Sequence, residues 1–443
     1  MYIVLLSGGS GKRLWPLSNE VRSKQFLKIL KKDDKTYESM VQRVYRQILT
    51  IDNQANILIA TSKDQVPILK SQLGEKINLS IEPFRRDTFP SILLACLYLK
   101  DIKRVDIDET ISVCPVDSYV DDDFFHKLNE LDEKIKDSSY NIGLIGIKPT
   151  YPSEKYGYII NENKDKQFII SNTKTNKFIE KPNITMAKEL IEQGALWNGG
   201  VFCFKLKYIL EVAHKYIDFI DYSDLYNKYE NIEKISFDYA VLEKEKSIGA
   251  VKYIGEWKDI GTWNTLTDVM VDKSIGDVVI DEKSNNTNVI NELNIPIIAM
   301  GLNDVIVAAS YDGIFVSDKK ESSYNKLLVE KIDNRPMFEE RLWGTFEVIN
   351  IFNNSLVKHI YIKKGKNISY QKHSFRKEVW TIIEGTGIFL LDGIKSDVKV
   401  GDVLTINIGS KHSIYAISDL HFIEVQLGDK LLEDDIQHYD YIW

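Results

Sequence analysis

A short run from Tyr2 to Leu6 stops at Ser7-Gly8-Gly9-Ser10-Gly11, and this junction constrains the chain more than anything after it. A brief apolar run ended by glycines predicts one buried parallel strand feeding a loop. Glycine lacks the Cβ that holds a ligand off the backbone, so the N–H groups of Gly8, Gly9, Ser10 and Gly11 can converge on an anion. Lys12, Arg13 and Lys24 follow closely, and the forked guanidinium of Arg13 suits phosphate oxygens. The combination predicts a phosphate ligand. Two commoner phosphate loops are excluded. A Walker loop needs Gly five places before Gly11 and Ser or Thr after the Lys, where Leu6 and Arg13 stand. The dinucleotide fingerprint needs a small residue where Leu14 stands. Taken alone, the loop also fits a plain glycine turn between core elements.

At 443 residues the chain exceeds one hydrophobic core, and roughly 100–200 residues per domain gives two to four domains. Fifty-seven basic against 65 acidic residues leave a net charge of -8, which argues against non-specific nucleic-acid binding. Cys96, Cys114 and Cys203 lie far apart in apolar runs. They read as buried small hydrophobes in a reducing compartment, with no disulfide or zinc framework. No leader pattern precedes the first strand and no apolar run approaches ~18 residues, so a cytoplasmic location without a membrane span is expected.

Up to about Trp263 short apolar strands alternate with amphipathic helices: Ile57 to Ala60, Val66 to Leu73, Pro90 to Lys100, Ile111 to Val116. Such alternation predicts an α/β domain around a mostly parallel sheet, with ligands at the carboxyl ends of its strands. The glycine loop and Asp117 both follow strands and so share that rim. From about Met270 to Ile332 short runs such as Val278–Ile280 and Val305–Ala308 are separated by Asn, Asp and Gly, as in a small β-helix. Asp333-Asn334-Arg335-Pro336 predicts a turn, and beyond Leu342 strands alternate with glycine turns as in an all-β barrel. The expected domains are 1–268, 269–332 and 333–443.

The wider string Gly8-Gly9-Ser10-Gly11-x-Arg13-Leu14-Trp15-Pro16-Leu17-Ser18, with Lys24-Gln25-Phe26 behind it, closely resembles the signature of sugar-phosphate nucleotidyltransferases, in particular the mannose-1-phosphate guanylyltransferase branch. Further matches run in that family's order. Glu82-Pro83-x-x-Arg86-Asp87-Thr88-x-Pro90 resembles the element near the base, with Asp87-Thr88-Phe89 where the family has Asn-Thr-Ala. Tyr156-Gly157-Tyr158-Ile159, Phe178-Ile179-Glu180-Lys181-Pro182 and Trp197-Asn198-Gly199-Gly200 resemble the sugar-phosphate pocket. The resemblance implies that Glu180 and Asn198 meet sugar hydroxyls and Lys181 the phosphate. Asp117, in Val113-Cys114-Pro115-Val116-Asp117, and Asp259, in Trp257-Lys258-Asp259-Ile260-Gly261-Thr262-Trp263, match the family's Mg²⁺-binding acids, a pair of hard oxygen ligands. Read singly, Asp117 is a strand-end acid of the kind that caps helices, and Glu180-Lys181 a pair of solvated surface charges. Arg13, Lys24 and the metal would hold the triphosphate. The expected partners are an NTP, most readily GTP, and a sugar 1-phosphate, most readily mannose 1-phosphate, in a homo-oligomeric enzyme of nucleotide-sugar and polysaccharide biosynthesis.

Gln371-x-His373-x-x-x-x-Glu378, followed by Gly401-Asp402 and Gly409-x-x-His412, can bring two nitrogen and two oxygen ligands to one divalent transition metal. The segment is similar to the cupin of type II phosphomannose isomerases, often fused to the guanylyltransferase. Where that family has Gln-Met-His-His-His-Arg-Ala-Glu-His-Trp, this chain has Gln371-Lys372-His373-Ser374-Phe375-Arg376-Lys377-Glu378-Val379-Trp380, with three histidines replaced. Alternatives to nucleotidyl transfer from GTP to mannose 1-phosphate are another base or a manno-heptose 1-phosphate, a cupin isomerase of mannose and fructose 6-phosphates, and a non-catalytic sugar-nucleotide sensor. The intact front motifs, with Asp117 and Asp259 both present, favour transfer.

Overall fold

The computed structural model describes residues 1–9, 11–160, 168–171, 178–332 and 335–443, with only the backbone of 168–171. Ser10 of the glycine loop and Asp333-Asn334 of the expected turn lie outside the described residues. Two compact units divide the chain: Met1–Ser10, Gln25–Val66 and Lys76–Val271 form one, and Gly11–Lys24, Pro67–Glu75 and Asp272–Trp443 the other.

The first unit is built on one large sheet. Its strands are β1 (Tyr2–Leu6), β2 (Asn56–Ser62), β3 (Asn78–Glu82), β4 (Thr110–Pro115), β6 (Ile142–Ile147), β8 (Phe168–Ser171), β10 (Leu196–Lys205) and β11 (Ile248–Tyr253). Short strands β7 (Tyr158–Ile159) and β9 (Phe178–Ile179) also belong to it, while β5 (Ser118–Val120) and β12 (Trp257–Asp259) form a separate two-stranded sheet. The sheet order is β8-β11-β6-β10-β4-β1-β2-β3. Strands β1, β2, β3 and β4 are mutually parallel, and β11 lies parallel to β6. Strand β10 runs against both its neighbours, β4 and β6, so the parallel sheet is interrupted at its centre.

Val4, Ile3 and Leu5 are fully buried, as expected of a strand covered on both faces. Helix α1 (Met40–Ile51) starts from a capping box in which Ser39 and Gln42 satisfy each other's backbone N–H groups. Helix α2 (Thr88–Leu97) is buried throughout from Phe89 to Leu97, and each large side chain removed from water contributes about 1.5–3 kcal/mol. Helix α3 (Asp123–Lys136) buries Phe124, Phe125, Leu128, Leu131 and Ile135 at helical spacing. Asp121 Oδ1 accepts the Phe124 N–H at 3.3 Å, satisfying one of the free donors in the first turn of this helix.

In the second unit, β13 (Ser274–Ile275), β15 (Asn288–Asn291) and β17 (Val305–Ser310) stack in parallel, and β14 (Val278–Ile280) pairs in parallel with β16 (Ile297–Ala299). Parallel neighbours whose paired residues lie 15 to 19 positions apart are the signature of a short β coil, and β18 (Gly313–Asp318) closes it antiparallel to β17.

The barrel follows. Its strands are β19 (Phe338–Arg341), β20 (Gly344–Ile351), β21 (Ser355–Ile362), β22 (Tyr370–Lys372), β23 (Lys377–Glu384), β24 (Thr386–Leu391), β25 (Ile394–Lys399), β26 (Val403–Ile406), β27 (His412–Ala416), β28 (Leu420–Leu427) and β29 (Gln437–Tyr439). They form two antiparallel sheets, β19-β20-β21-β28-β23-β26 and β25-β24-β27-β22-β29. Strands β21 and β23 alternate buried and partly exposed residues, so one face fills the barrel around Trp380, Phe422 and Leu356.

Candidate active site

Three carboxyl ends of the first sheet meet at one rim. Strand β1 pairs with β2 on one side and β4 on the other, with Leu6 level with Ala60 and Pro115. The chain therefore leaves β1 into Ser7-Gly8-Gly9 beside the point where β4 releases Asp117. Two buried glutamines hold the loop. Gln25 Nε2 donates to the Ser7 carbonyl at 2.8 Å, and Gln65 Nε2 donates to the Gly9 carbonyl at 3.3 Å. A trans peptide points its C=O and N–H in opposite directions, so anchoring the Ser7 carbonyl turns the Gly8 N–H away from Gln25. A Cβ on Gly9 would meet nothing within 4 Å, while one on Gly8 would lie 3.3 Å from Glu82 Oε1.

Glu82 sits under that loop, 7% exposed, accepting from Ser91 Oγ and Tyr229 Oη at 2.8 Å each. Burial pushes its carboxyl above the ordinary range. Asp87, at φ 71°, accepts the Thr88 N–H at 2.8 Å and caps α2. Both acids of the expected base element thus spend hydrogen bonds on the fold. Arg86, beside them, has a buried Nε with no hydrogen-bond partner among the described residues. Gly11, Arg13 and Lys24 belong to the second unit. There the Arg13 carbonyl accepts from Asn325 Nδ2 at 3.0 Å, and Lys24 opens a single 3-10 turn, Lys24–Phe26.

The second strand-end acid reaches the same cleft as Asp117 by pairing. β12 runs antiparallel to β5, with Asp259 opposite Ser118, and the Ile260 N–H donates to the Asp117 carbonyl at 3.3 Å. Asp117 and Asp259 both line a cleft of about 200 Å³ shared with Gly157, Glu180, Asn198 and Asp238. A carboxylate in the turn after β4 and one at the end of β12, both lining one cleft, are hard oxygen donors suited to a divalent cation.

Asn198 is aimed by a bulge. Strand β10 slips register against β6 between Asn198 and Phe202, and Gly200 takes φ 71°, so only glycine fits there without strain. The Asn198 N–H donates to the Gly157 carbonyl at 2.8 Å. Its Nδ2 donates to Asp238 Oδ1 at 2.8 Å, and its Oδ1 accepts the Gly200 N–H at 3.1 Å. Glu180 is 6% exposed in its side chain; Oε1 accepts from Lys181 Nζ at 2.7 Å, while Oε2 is buried with no partner among the described residues. A Cβ on Gly157 would stand 2.5 Å from Glu180 Oε2 and 2.5 Å from Phe178 Cζ, which explains the glycine.

Asp238 escapes sequence reading. It sits on α4 (Phe237–Ala240), where Ser236-Phe237-Asp238-Tyr239 reads as no more than a capped helix start. Burial, then the nearby charge of Glu180, pushes its carboxyl up to about 6. Gln25 and Gln65, which fix the loop carbonyls, are equally silent in their local context.

A family model described as Nucleotidyl transferase matches residues 2–274, well over half of the chain. The chain belongs to that family. A second model, Mannose-6-phosphate isomerase C-terminal, matches residues 333–441 of this nucleotidyl transferase. Among curated proteins it is 30% identical to the alginate biosynthesis protein AlgA of Pseudomonas aeruginosa, across 100% of this chain and 97% of AlgA. It is 27% identical to the mannose-1-phosphate guanylyltransferase of Escherichia coli K12, across 99% and 98% of the two chains. A crystal structure from Thermus thermophilus, described as a mannose-1-phosphate geranyltransferase, aligns with 75% of this chain and 99% of its own at 25% identity and a TM-score of 0.61. The nucleotidyl transferase fold, the cupin-like barrel and the resemblance drawn from the sequence motifs stand together on these matches.

The barrel of this nucleotidyl transferase carries the second cluster. His373, Glu378 and His412 each offer one ligand atom, all within 4.8 Å of one another, and all three residues are buried. His373 Nε2 lies 3.2 Å from Glu378 Oε1, and His412 Nε2 lies 3.5 Å from Glu378 Oε2. His373 Nδ1 donates to the Asp435 carbonyl and His412 Nδ1 donates to that of Ser410, which turns both Nε2 lone pairs inward, that of His373 toward Arg376 Nη2 at 3.3 Å. His412 Nε2 is buried without a hydrogen-bond partner among the described residues. Burial holds both imidazoles below their ordinary pKa, in the neutral form a metal needs. Gln371 stands opposite His412 in the β22–β27 ladder, with Nε2 3.4 Å from His373 Nε2. Arg376 is the unanticipated member: its Nε donates to Glu378 Oε1 at 2.9 Å.

Proposed function

We propose that the chain transfers a guanylyl group from GTP to mannose 1-phosphate, releasing pyrophosphate. The observation that carries this reading is one cleft lined by Asp117, Asp259, Glu180 and Asn198 together, in a chain related over its full length to a mannose-1-phosphate guanylyltransferase. A phosphate oxygen of the sugar 1-phosphate attacks the α-phosphorus, the bond to the β-phosphate's bridging oxygen breaks, and pyrophosphate leaves with that electron pair. No general base is required. The demand on the protein is to align two anions and to neutralise charge as it develops. Asp117 and Asp259 would hold Mg²⁺, which supplies Lewis-acid charge neutralisation at the phosphates. The signature resemblance supports the Gly8–Gly11 backbone, Arg13 and Lys24 as triphosphate ligands. Lys181, beside the cleft-lining Glu180, would meet the phosphate of the second substrate. No helix among the described residues is long and apolar enough to cross a membrane, and Cys96, Cys114 and Cys203 are buried free thiols, which supports a reducing cytoplasm.

Pyrophosphate release across four NTPs and a series of sugar 1-phosphates tests the reading. GTP with mannose 1-phosphate is expected to rank first in kcat/KM; CTP or dTTP ranking first would defeat the branch assignment. Gly157→Ala gives a sharper local test. Its Cβ displaces the Glu180 carboxylate or the Phe178 ring, and misplacing a binding group by about 1 Å costs up to ~10²-fold. We expect the KM for sugar 1-phosphate to rise at least about tenfold while that for GTP holds.

For the barrel, we propose that Gln371, His373, Glu378 and His412 hold a divalent transition metal. The support is the pair of inward Nε2 lone pairs around one carboxylate.

A further inference from the structure

We propose that Asp238 determines acceptor specificity, gripping a sugar hydroxyl together with Glu180; the inference rests on the cleft being a sugar 1-phosphate site. The Asn198 amide is tied at both ends, Nδ2 to Asp238 Oδ1 at 2.8 Å and Oδ1 to the Gly200 N–H at 3.1 Å. A primary amide has two N–H donors and two lone pairs on its oxygen, so an amide held in this way still offers the cleft its second Nδ2 hydrogen and one Oδ1 lone pair. Asp238 fixes which end of the Asn198 amide is the donor and so orients that side chain toward a ligand.

Around Asn198 the wall carries two acids, with Lys155 and Tyr156 lining the same cleft. Glu180 Oε2 is buried without a partner among the described residues, and the Asp238 carboxylate lines the same cleft. Burial, and then the nearby charge of Glu180, make the Asp238 carboxylate costly to keep ionised. Proteins retain such arrangements where a ligand repays them. A ligand with neighbouring O–H donors and one acceptor oxygen matches the pattern, which is the chemistry of a hexose ring rather than of a further phosphate. Lys181, whose Nζ is taken by Glu180 Oε1 at 2.7 Å, Tyr239, whose ring lies 5.9 Å from that Nζ, and the cleft-lining Lys155 and Tyr156 are further polar groups near this corner.

The experiment uses the full chain with saturating GTP, mannose 1-phosphate and its deoxy analogues at each ring hydroxyl. Asp238→Asn keeps an acceptor for Asn198 but loses the second carboxylate oxygen; Asp238→Ala loses both. The wild type is expected to disfavour one deoxy analogue by at least about tenfold in kcat/KM. Both variants should raise the KM for mannose 1-phosphate about tenfold, leave the KM for GTP unchanged, and no longer disfavour that analogue. A structural role makes none of these changes selectively. Thermal unfolding gives a second readout. The Asp238 carboxyl is raised from 3.8 to about 6 in the folded chain, so ionising it costs stability as pH rises from about 4 to about 6 and by a constant amount above. Asp238→Asn removes that cost, so it should melt higher than the wild type at pH 8, by a margin that shrinks toward pH 4. Retained discrimination against the analogue, an unchanged KM, or a lower melting temperature at pH 8 would overturn the proposal alone. A wild-type chain that transfers to no sugar 1-phosphate would overturn the site reading and this proposal with it.

Discussion

Asp117→Ala is expected to lower Mg²⁺-dependent nucleotidyl transfer by about 10²–10³-fold, the cost of losing one group that stabilises developing charge in a closed site. The reasoning begins with the reactants. A triphosphate and a sugar 1-phosphate are both anions, and the reaction requires them within bonding distance. Their repulsion must be offset by cations held in place before they arrive, because mobile counter-ions would have to reorganise during the reaction. Asp117 is fixed by its backbone: its carbonyl accepts the Ile260 N–H at 3.3 Å, which ties the end of β4 to the turn after β12. Asp259 is fixed by the β5–β12 ladder opposite Ser118. Neither side chain depends on a mobile loop for its position. Asp259→Ala should match Asp117→Ala, and the double variant should be little worse than either, since ligands of one ion act as a unit. Pyrophosphate release as a function of Mg²⁺ concentration reads the effect, with circular dichroism to confirm folding. If either single variant keeps activity within a few-fold of wild type, that acid is not a ligand and the metal assignment fails.

What the sequence made legible was whatever sits within a few residues of its partner. Gly8 and Gly9 follow β1 directly, and Asp117 follows β4 directly, so an apolar run and the loop behind it are enough to mark the rim. Asp238 was opaque because its partner Asn198 lies 40 residues away and its own surroundings read as a helix cap. Gln25 and Gln65 were opaque for a similar reason: each anchors a loop carbonyl that no local pattern connects to it. The apolar pattern of Leu196–Lys205 marks a strand but carries no direction, and β10 runs antiparallel to β4 and β6 at the centre of the sheet. Nor does pattern show that the buried Glu82 accepts from Ser91 and Tyr229, or that Asp87 accepts the Thr88 N–H at the start of α2.

His412→Ala is expected to abolish stoichiometric binding of a divalent transition metal by the full chain, a loss well beyond the 10–100-fold that removing a mere supporting partner of a metal ligand costs. Three groups compete for the same small volume. Glu378 is held by Arg376 Nε at 2.9 Å and Trp380 Nε1 at 3.1 Å, so one hydrogen bond occupies each carboxylate oxygen. A carboxylate oxygen has two lone pairs, and the guanidinium leaves room for a ligand bond on each. Burial would raise the Glu378 carboxyl, but its charged surroundings, with the Arg376 guanidinium hydrogen-bonded to it, hold it below its ordinary value, so it is an anion ready to bind. His412 is the cleaner position to remove than Glu378. Its loss strands no charge, whereas Glu378→Ala leaves Arg376 buried without its carboxylate, a change that commonly costs 3–5 kcal/mol (on the order of a third of a domain's stability). Metal analysis of the purified chain and titration with Zn²⁺ and Mn²⁺ measure the outcome, with the melting temperature recorded in parallel. The wild type should gain stability with added metal by mass action, and His412→Ala should gain none. If the wild type carries no ion and its melting temperature ignores added metal, Arg376 has replaced the cation, and the barrel's polar centre is a buried ion-pair network that supports the fold.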